Sequence, residues 1–181
     1  MPLSAGHWQS YEASAERGTR RGGMNMPEVK HLFLCKIHRF PMEEVEEALA
    51  TLSQGFKGCI HGRPRSHRQI LLMDSETLGR FGLAPGAVKE NITTAGMDFQ
   101  ALATGMRMRI GEAVLEISGP CHPCPRMDDI RQGLQQELKG QRGWLCRVME
   151  EGTIRRGDAI EVAASAELIG AGASRDETLK T

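Results

Sequence analysis

"MRMRIGEAVLEIS", residues 106–118, decides the fold class. Two short strand-like runs flank Gly111-Glu112, and a Gly-X pair of this kind suits the tight type II′ turn of a β-hairpin. The same period of two runs outward in both directions. Residues 143–163, "GWLCRVMEEGTIRRGDAIEVA", divide into short strands at Glu151-Gly152 and at Gly157-Asp158. Towards the N-terminus, "VKHLFLCKIH" (29–38) reads as a strand and "QILLMD" (69–74) as a short buried one.

Three stretches read as helical. "MEEVEEALATL" (42–52) sets Met42, Val45, Leu49 and Leu52 on one helical face. "SETLGRFG" (75–82) is a helical turn with Ser75 as its N-cap. "MDDIRQGLQQELK" (127–139) is a further helix candidate. Many short strands with glycine turns and a few inserted helices predict a mainly β domain, closed and barrel-like, over residues 28–165. Residues 1–27 are rich in Gly, Ser, Arg and Glu without a hydrophobic period and predict a disordered tail, as do residues 166–181. Within the first tail, Met24 and Met26 stand beside Met1 as alternative translational starts.

A chain of 181 residues carries one domain with a core of its own. Its 23 basic and 23 acidic residues balance to zero, which argues against a general polyanion binder while leaving room for a local basic patch. Five Phe, two Trp and one Tyr are few for a platform that stacks single-stranded bases, so no nucleic-acid partner is expected. No apolar run has the length of a membrane span, and none follows the arginines of "RGTRRGG" as an export signal requires. Five unevenly spaced cysteines without such a signal predict free thiols in the cytoplasm.

Four stretches are equipped for chemistry. "FKGCIHGRPRSHRQ" (56–69) carries Lys57, His61, Arg63, Arg65, His67 and Arg68 with no acidic residue, and its glycines allow backbone N–H groups to approach a ligand. The plainer reading is a solvated basic loop. "GAVKENITTAGMD" (86–98) places Glu90 and Asn91 in a strand-like run. Asn91 has both a donor and an acceptor to offer a heterocycle edge, or alternatively stabilises a turn. "GQRGWLCRV" (140–148) sets Arg142 between two glycines, aimed outward from a tight turn or held in a structural ion pair.

"EISGPCHPCPRMDD" (116–129) holds Cys121 and Cys124 among prolines, with Arg126 following. A structural zinc commonly takes two spaced ligand pairs, and here Cys59, His61, His67 and His122 are the scattered candidates to complete one. A redox pair of the thioredoxin kind opens a helix in a βαβ context, whereas this pair follows a hairpin. The remaining reading is a single activated thiolate, with Arg126 and its basic neighbours favouring the ionised form. Cys35 and Cys146 lie in strand-like runs and read as core filling.

Taken in order, "KGCIHG", "HRQILL", "PGAVKENITTAGMDFQALATGMRMRIGEAVLEISGPCHPCPRM" and "GQRGWLCRVMEEGTIRRGDAIEV" resemble the MOSC domain, the C-terminal module of molybdenum cofactor sulfurases. The resemblance runs from about residue 29 to 162. It implies a closed, mostly β barrel that binds the molybdenum–pterin cofactor, with one cysteine as its reactive centre. Cys124 occupies the place of the family cysteine, as sulfur carrier or molybdenum ligand. Cys121 is then an additional or resolving thiol, although a branch of stand-alone members carries a Cys-His…Cys cluster here. Asn91 matches the family's ENxT stretch and Arg142 its RG turn. Where the family has Gly-Asp before the first-loop histidine, this chain has Gly58-Cys59.

The resemblance implies either a cofactor-handling protein or a reductase of N-hydroxylated compounds. As a sulfur carrier it needs a cysteine desulfurase, where any pyridoxal phosphate would reside, and delivers to a molybdoenzyme; as a reductase it needs a redox partner. A thiol or zinc module of the same shape, without the cofactor, is the alternative of another class.

Overall fold

The computed structural model describes residues 26–163. The expectations for the two tails lie outside these residues, save for Met26 and Pro27. Eleven strands are present among the described residues, eight of them in one mixed sheet ordered β11-β7-β8-β9-β5-β6-β1-β2. Here β1 is Glu28–Leu34, β2 Glu43–Val45, β5 Ile70–Asp74, β6 Ile92–Ala95, β7 Arg107–Ile110, β8 Ala113–Pro120, β9 Trp144–Glu150 and β11 Ile160–Ala163. A second sheet joins β10 (Gly152–Arg155), β3 (Glu47–Thr51) and β4 (Gly55–Phe56) in that order. No described helix is long and apolar enough to cross a membrane.

The predicted hairpin is β7–β8, with Ile110 opposite Ala113 and Gly111 at φ 55°, a conformation that glycine adopts without a Cβ penalty. Among the described residues no sheet closes into the expected barrel, and that part of the expectation is not confirmed. The large sheet curls until residues 27–29 meet 157–160, where Val29 N–H donates to Asp158 O at 2.9 Å and Ile160 N–H to Pro27 O at 2.7 Å. That junction holds a single bridge, Glu28 to Ala159, rather than a strand ladder, so the sheet remains open.

The helix expected at 42–52 is instead β2 and β3. Ala48 and Ala50 point into the core at 5% and 0% exposure, while Leu49 and Leu52, which the helical reading placed inside, are 40% and 53% exposed. Local preference for helix in a Glu/Ala/Leu run is worth a few tenths of a kcal/mol per residue. Pairing of β3 with both β10 and β4 outweighs it.

The 127–139 helix also shrinks, to a 3-10 turn at Pro125–Met127 and α2 at Leu134–Glu137. Gly133, left-handed at φ 85°, blocks a continuous helix between them. Asp74, not Ser75, caps α1 (Ser75–Arg80): its side chain accepts from Thr77 N–H at 2.6 Å.

The main core lies under the large sheet and includes Leu32, Phe56, Leu72, Ile92, Met108, Leu115 and Ile117. Cys35 and Cys146 are part of it, as expected from their strand-like settings. A second cluster, with Met73, Leu78, Met127 and Leu134, seats α1, α2 and the 3-10 turn on the far side. The loops after β1, β4 and β8 consequently gather at one face, where β5 and β6 run parallel to each other.

Candidate functional site

A cavity of about 630 Å³ opens among these loops, within the range that holds a small-molecule cofactor. From the basic loop it receives His61, Arg63 and Arg68, and from the turn before β6 it receives Asn91. Cys121, Cys124 and Arg126 line it after β8, and Arg142 before β9. Lys57, Arg65 and His67 are exposed and do not line it. Sequence reasoning missed His38, Arg39 and Lys89 on the same wall. Their signal was slight: two basic residues in a turn after β1, and a lysine beside Glu90.

Most arginines away from this wall are paired. Arg107, Arg109, Arg131, Arg147, Arg155 and Arg156 each pair with a glutamate. Among the described residues Arg39, Arg63, Arg68 and Arg126 have no carboxylate partner, and Asp129 is the one acidic residue on the cavity wall. The cavity of a chain with zero net charge thus carries an excess of positive groups on its wall, which favours an anionic ligand.

The two cysteines of the opening motif occupy different environments. Cys121 is 2% exposed and packs with Leu71 and Leu145. Burial pushes its thiol pKa up, against the opposing charges of Arg142 and Arg68. Cys124 is half-buried on the cavity wall and precedes the 3-10 turn, its carbonyl accepting from Met127 N–H at 2.9 Å. All five cysteines are free thiols.

Arg142 does not project outward, and no carboxylate pairs with it. The guanidinium turns inward at 7% exposure. One Nη donates to Cys121 Sγ at 3.2 Å and His122 O at 3.0 Å, the other to Val88 O at 3.0 Å. Its Nε is buried without a partner. Gly143 makes this possible: at φ 82° it passes so close to β5 that a Cβ would lie 2.0 Å from Leu72 O.

Asn91 is likewise engaged by the protein. Its Oδ1 accepts from Leu71 N–H at 3.2 Å, and Nδ2 donates to Phe33 O at 3.1 Å and Cys59 Sγ at 3.5 Å. It stitches β1 to β5 at the cavity floor, so its amide edge is turned to the strands rather than offered to a heterocycle. Gly62 is similarly committed: a Cβ there would meet Gln54 O at 1.3 Å, so the bare backbone accommodates a neighbouring strand turn and not a ligand.

Cys59, just before His61 in the basic loop, lies behind that histidine at 6% exposure. Burial alone would raise its pKa. Hydrogen bonds from the His61 side chain and backbone, the Cys35 backbone and Asn91 reverse that effect and bring it down to about 7. The zinc alternative finds no support here: among the described residues, no group of three or more His, Cys, Asp or Glu is placed to hold a metal ion.

The model of the MOSC domain matches residues 60–161. A protein named reductase from Gibberella moniliformis is 33% identical over 82 residues, spanning 42% of this chain and 15% of its own. YflK of Bacillus subtilis is 32% identical over 89 residues, spanning 47% of this chain and 40% of its own. The chain therefore spans less than half the length of these curated relatives. Among solved structures, YuaD of Bacillus subtilis superposes with TM-score 0.66 at 20% identity, covering 76% of this chain and 95% of that one. YiiM of Geobacillus stearothermophilus superposes with TM-score 0.63 at 19% identity, covering 76% and 75%. At these identities the solved structures speak for the fold alone.

Proposed function

The chain belongs to the MOSC domain family, and from that premise we propose that its cavity binds the molybdenum–pterin cofactor, with Cys124 as the working thiol. One observation carries the reading: a half-buried thiol and several arginines without carboxylate partners share a single cavity. The donor set suits the group. A thiolate is a soft ligand that matches molybdenum and also carries sulfur as a persulfide. Arg63 and Arg68 present forks suited to the oxygens of the pterin's phosphate, and His61 adds a ring nitrogen beside them. The bound cofactor supplies a metal centre able to exchange electrons, oxygen or sulfur.

The chain's own residues hold and orient. Arg142 fixes the segment carrying Cys121 and His122, and so sets where Cys124 stands on the wall. Cys121, deep and held as a thiol, supports that segment. Leu71, Leu145 and Met127 give the cavity an apolar side that limits water near the thiol. As a carrier, the protein accepts sulfur from a cysteine desulfurase and serves a molybdoenzyme, in the cytoplasm. The relative named reductase favours a second reading, reduction of N-hydroxylated compounds with electrons from a redox partner.

The test is expression in a host that makes the cofactor, followed by metal and pterin analysis of the purified, reduced protein. Retention of both in wild type and Cys121→Ser, with loss in Cys124→Ser, is the expected result. Retention in Cys124→Ser with loss in Cys121→Ser would reassign the working thiol. If wild type is free of molybdenum and pterin and takes up no sulfur from a desulfurase, the reading fails. Cofactor-loaded protein that reduces a hydroxylamine favours the reductase, and metal-free protein that accepts sulfur favours the carrier.

A further inference from the structure

At one side of the shared cavity lies a more open depression of about 500 Å³, walled by His38, Arg39, Arg126 and Asp129, all four of which also line the cavity. We propose that this depression is a second anion subsite, which takes the carboxylate of a substrate with an apolar or aromatic body and aligns that body across the mouth of the cavity. The subsite rests on the cofactor reading of the same cavity and adds a substrate class to it, through cations that come from outside the basic loop.

Three observations carry the proposal. The first is charge. Arg39 and Arg126 come from segments 87 positions apart in the chain and meet on one wall, neither with a carboxylate partner, whereas six of the arginines on other faces each pair with a glutamate. Two guanidinium groups facing open space are a ready fork for a carboxylate.

The second is that the turn bearing Arg39 is held. Arg39 is left-handed at φ 69°, a conformation few non-glycine residues adopt. The turn is closed by Phe40 N–H to Ile37 O at 3.3 Å and tied across the cavity by Lys89 Nζ to Phe40 O at 2.7 Å. Lys89 is therefore occupied as a strut, and Arg39 is the cation the turn presents.

The third is the apolar surround. Ile37 and Phe40 flank Arg39 at 57% and 59% exposure, and Ile60 and Ile130 on the cavity rim are 44% and 42% exposed. Two exposed hydrophobic side chains thus line the shared cavity beside the depression, and two more neighbour Arg39 in sequence. Asp129 narrows the ligand further. A carboxylate on the same wall repels a dianion, so one negative charge is preferred to a phosphate.

The test uses cofactor-free full-length protein and three probes: phenylacetate, its neutral isostere phenylacetamide, and inorganic phosphate. Binding is followed by calorimetry and by amide shifts in 15N-labelled protein. Phenylacetate is expected to shift residues 37–40 and 126–130 and to bind about tenfold more tightly than phenylacetamide. Arg39→Gln and Arg126→Gln should each weaken phenylacetate about tenfold and phosphate by less, while Arg63→Gln should weaken phosphate more than phenylacetate. Equal binding of acid and amide would overturn the subsite, as would undetectable phenylacetate binding or a phenylacetate response to Arg63→Gln alone. Molybdenum retention in the same variants is read separately. An overturned subsite with cofactor still retained by wild type sinks only this inference, and the converse sinks only the cofactor reading.

Discussion

The guanidinium of Arg142 donates to the sulfur of Cys121 at 3.2 Å, across 21 positions of sequence. The bond joins the turn before β9 to the loop after β8, and the same side chain reaches Val88 O on a third segment.

Replacing Arg142 with Ala should therefore destabilise the fold by about 2–4 kcal/mol, because two carbonyls and a thiol lose their shared donor at once. Lys should recover only part of this, since a single ammonium does not reproduce the planar fork. Urea denaturation of both variants is the measurement. Equal stability of Ala, Lys and Arg at this position would contradict the clamp.

Cys59 should titrate near neutrality. With its pKa at about 7 against an ordinary value near 9, the folded chain releases this proton before the unfolded chain does. Its contribution to stability is present above about pH 9 and is lost as pH falls through about 7, so stability should rise with pH between those limits. Cys59→Ser should remove that rise. The buried thiols of Cys35, Cys121 and Cys146 are shifted upward and act in the opposite sense, lowering stability as pH climbs beyond 9. Denaturation midpoints at several pH values in reductant test both slopes.

Glu90 is fully buried, with Oε1 accepting from Gly86 N–H and Thr93 Oγ1 and with Oε2 lacking a partner. Burial raises its pKa above the ordinary 4.5 despite the hydrogen bonds that oppose the shift. The neutral form is favoured by the fold, so its contribution is intact below that ordinary value and is lost as pH rises above it. Glu90→Gln should abolish this pH dependence while keeping the acceptor. Glu90→Ala should cost about 2–4 kcal/mol through the orphaned donors and the void. A Gln variant with an unaltered pH profile would refute the assignment.

Gly143→Ala should be among the most damaging single-methyl changes in the chain. The residue sits at φ 82° and its new Cβ would lie 2.0 Å from Leu72 O, in the backbone of a central strand. A loss of about 3 kcal/mol or more is expected. Gly140→Ala is the control: it shares a positive φ of 76° but has nothing within 4 Å, so its cost should be about 1 kcal/mol, from the backbone conformation alone.

The hairpin at 106–118 and the strands of 143–163 were legible because glycine turns interrupt runs whose period is two. The stretch 42–52 was not, because its outer leucines fall at helical spacing while two alanines, too small to register as a core pattern, are the buried residues. The same division holds for the site. The basic loop and the cysteine pair announced themselves by composition, and several of their side chains do share a cavity. Arg39 and Lys89 join them only through the placement of β1 and β6, a long-range relationship that no local spacing encodes. The inward turn of Arg142 is set by Gly143 against β5, which is also invisible along the chain.

An open sheet has rims, and among the described residues this one ends at β2 on one side and β11 on the other. The rim at β2 is only three residues long and begins with Glu43 and Glu44, the latter bound to His31 at 2.6 Å. A second copy laying its own β2 alongside would bring like charges face to face over a span too short to repay the repulsion. That is how many natural sheets discourage aggregation. Substituting valines for Glu43 and Glu44 would remove the deterrent, and the protein's behaviour at high concentration, rather than its folding, is where the change would be felt.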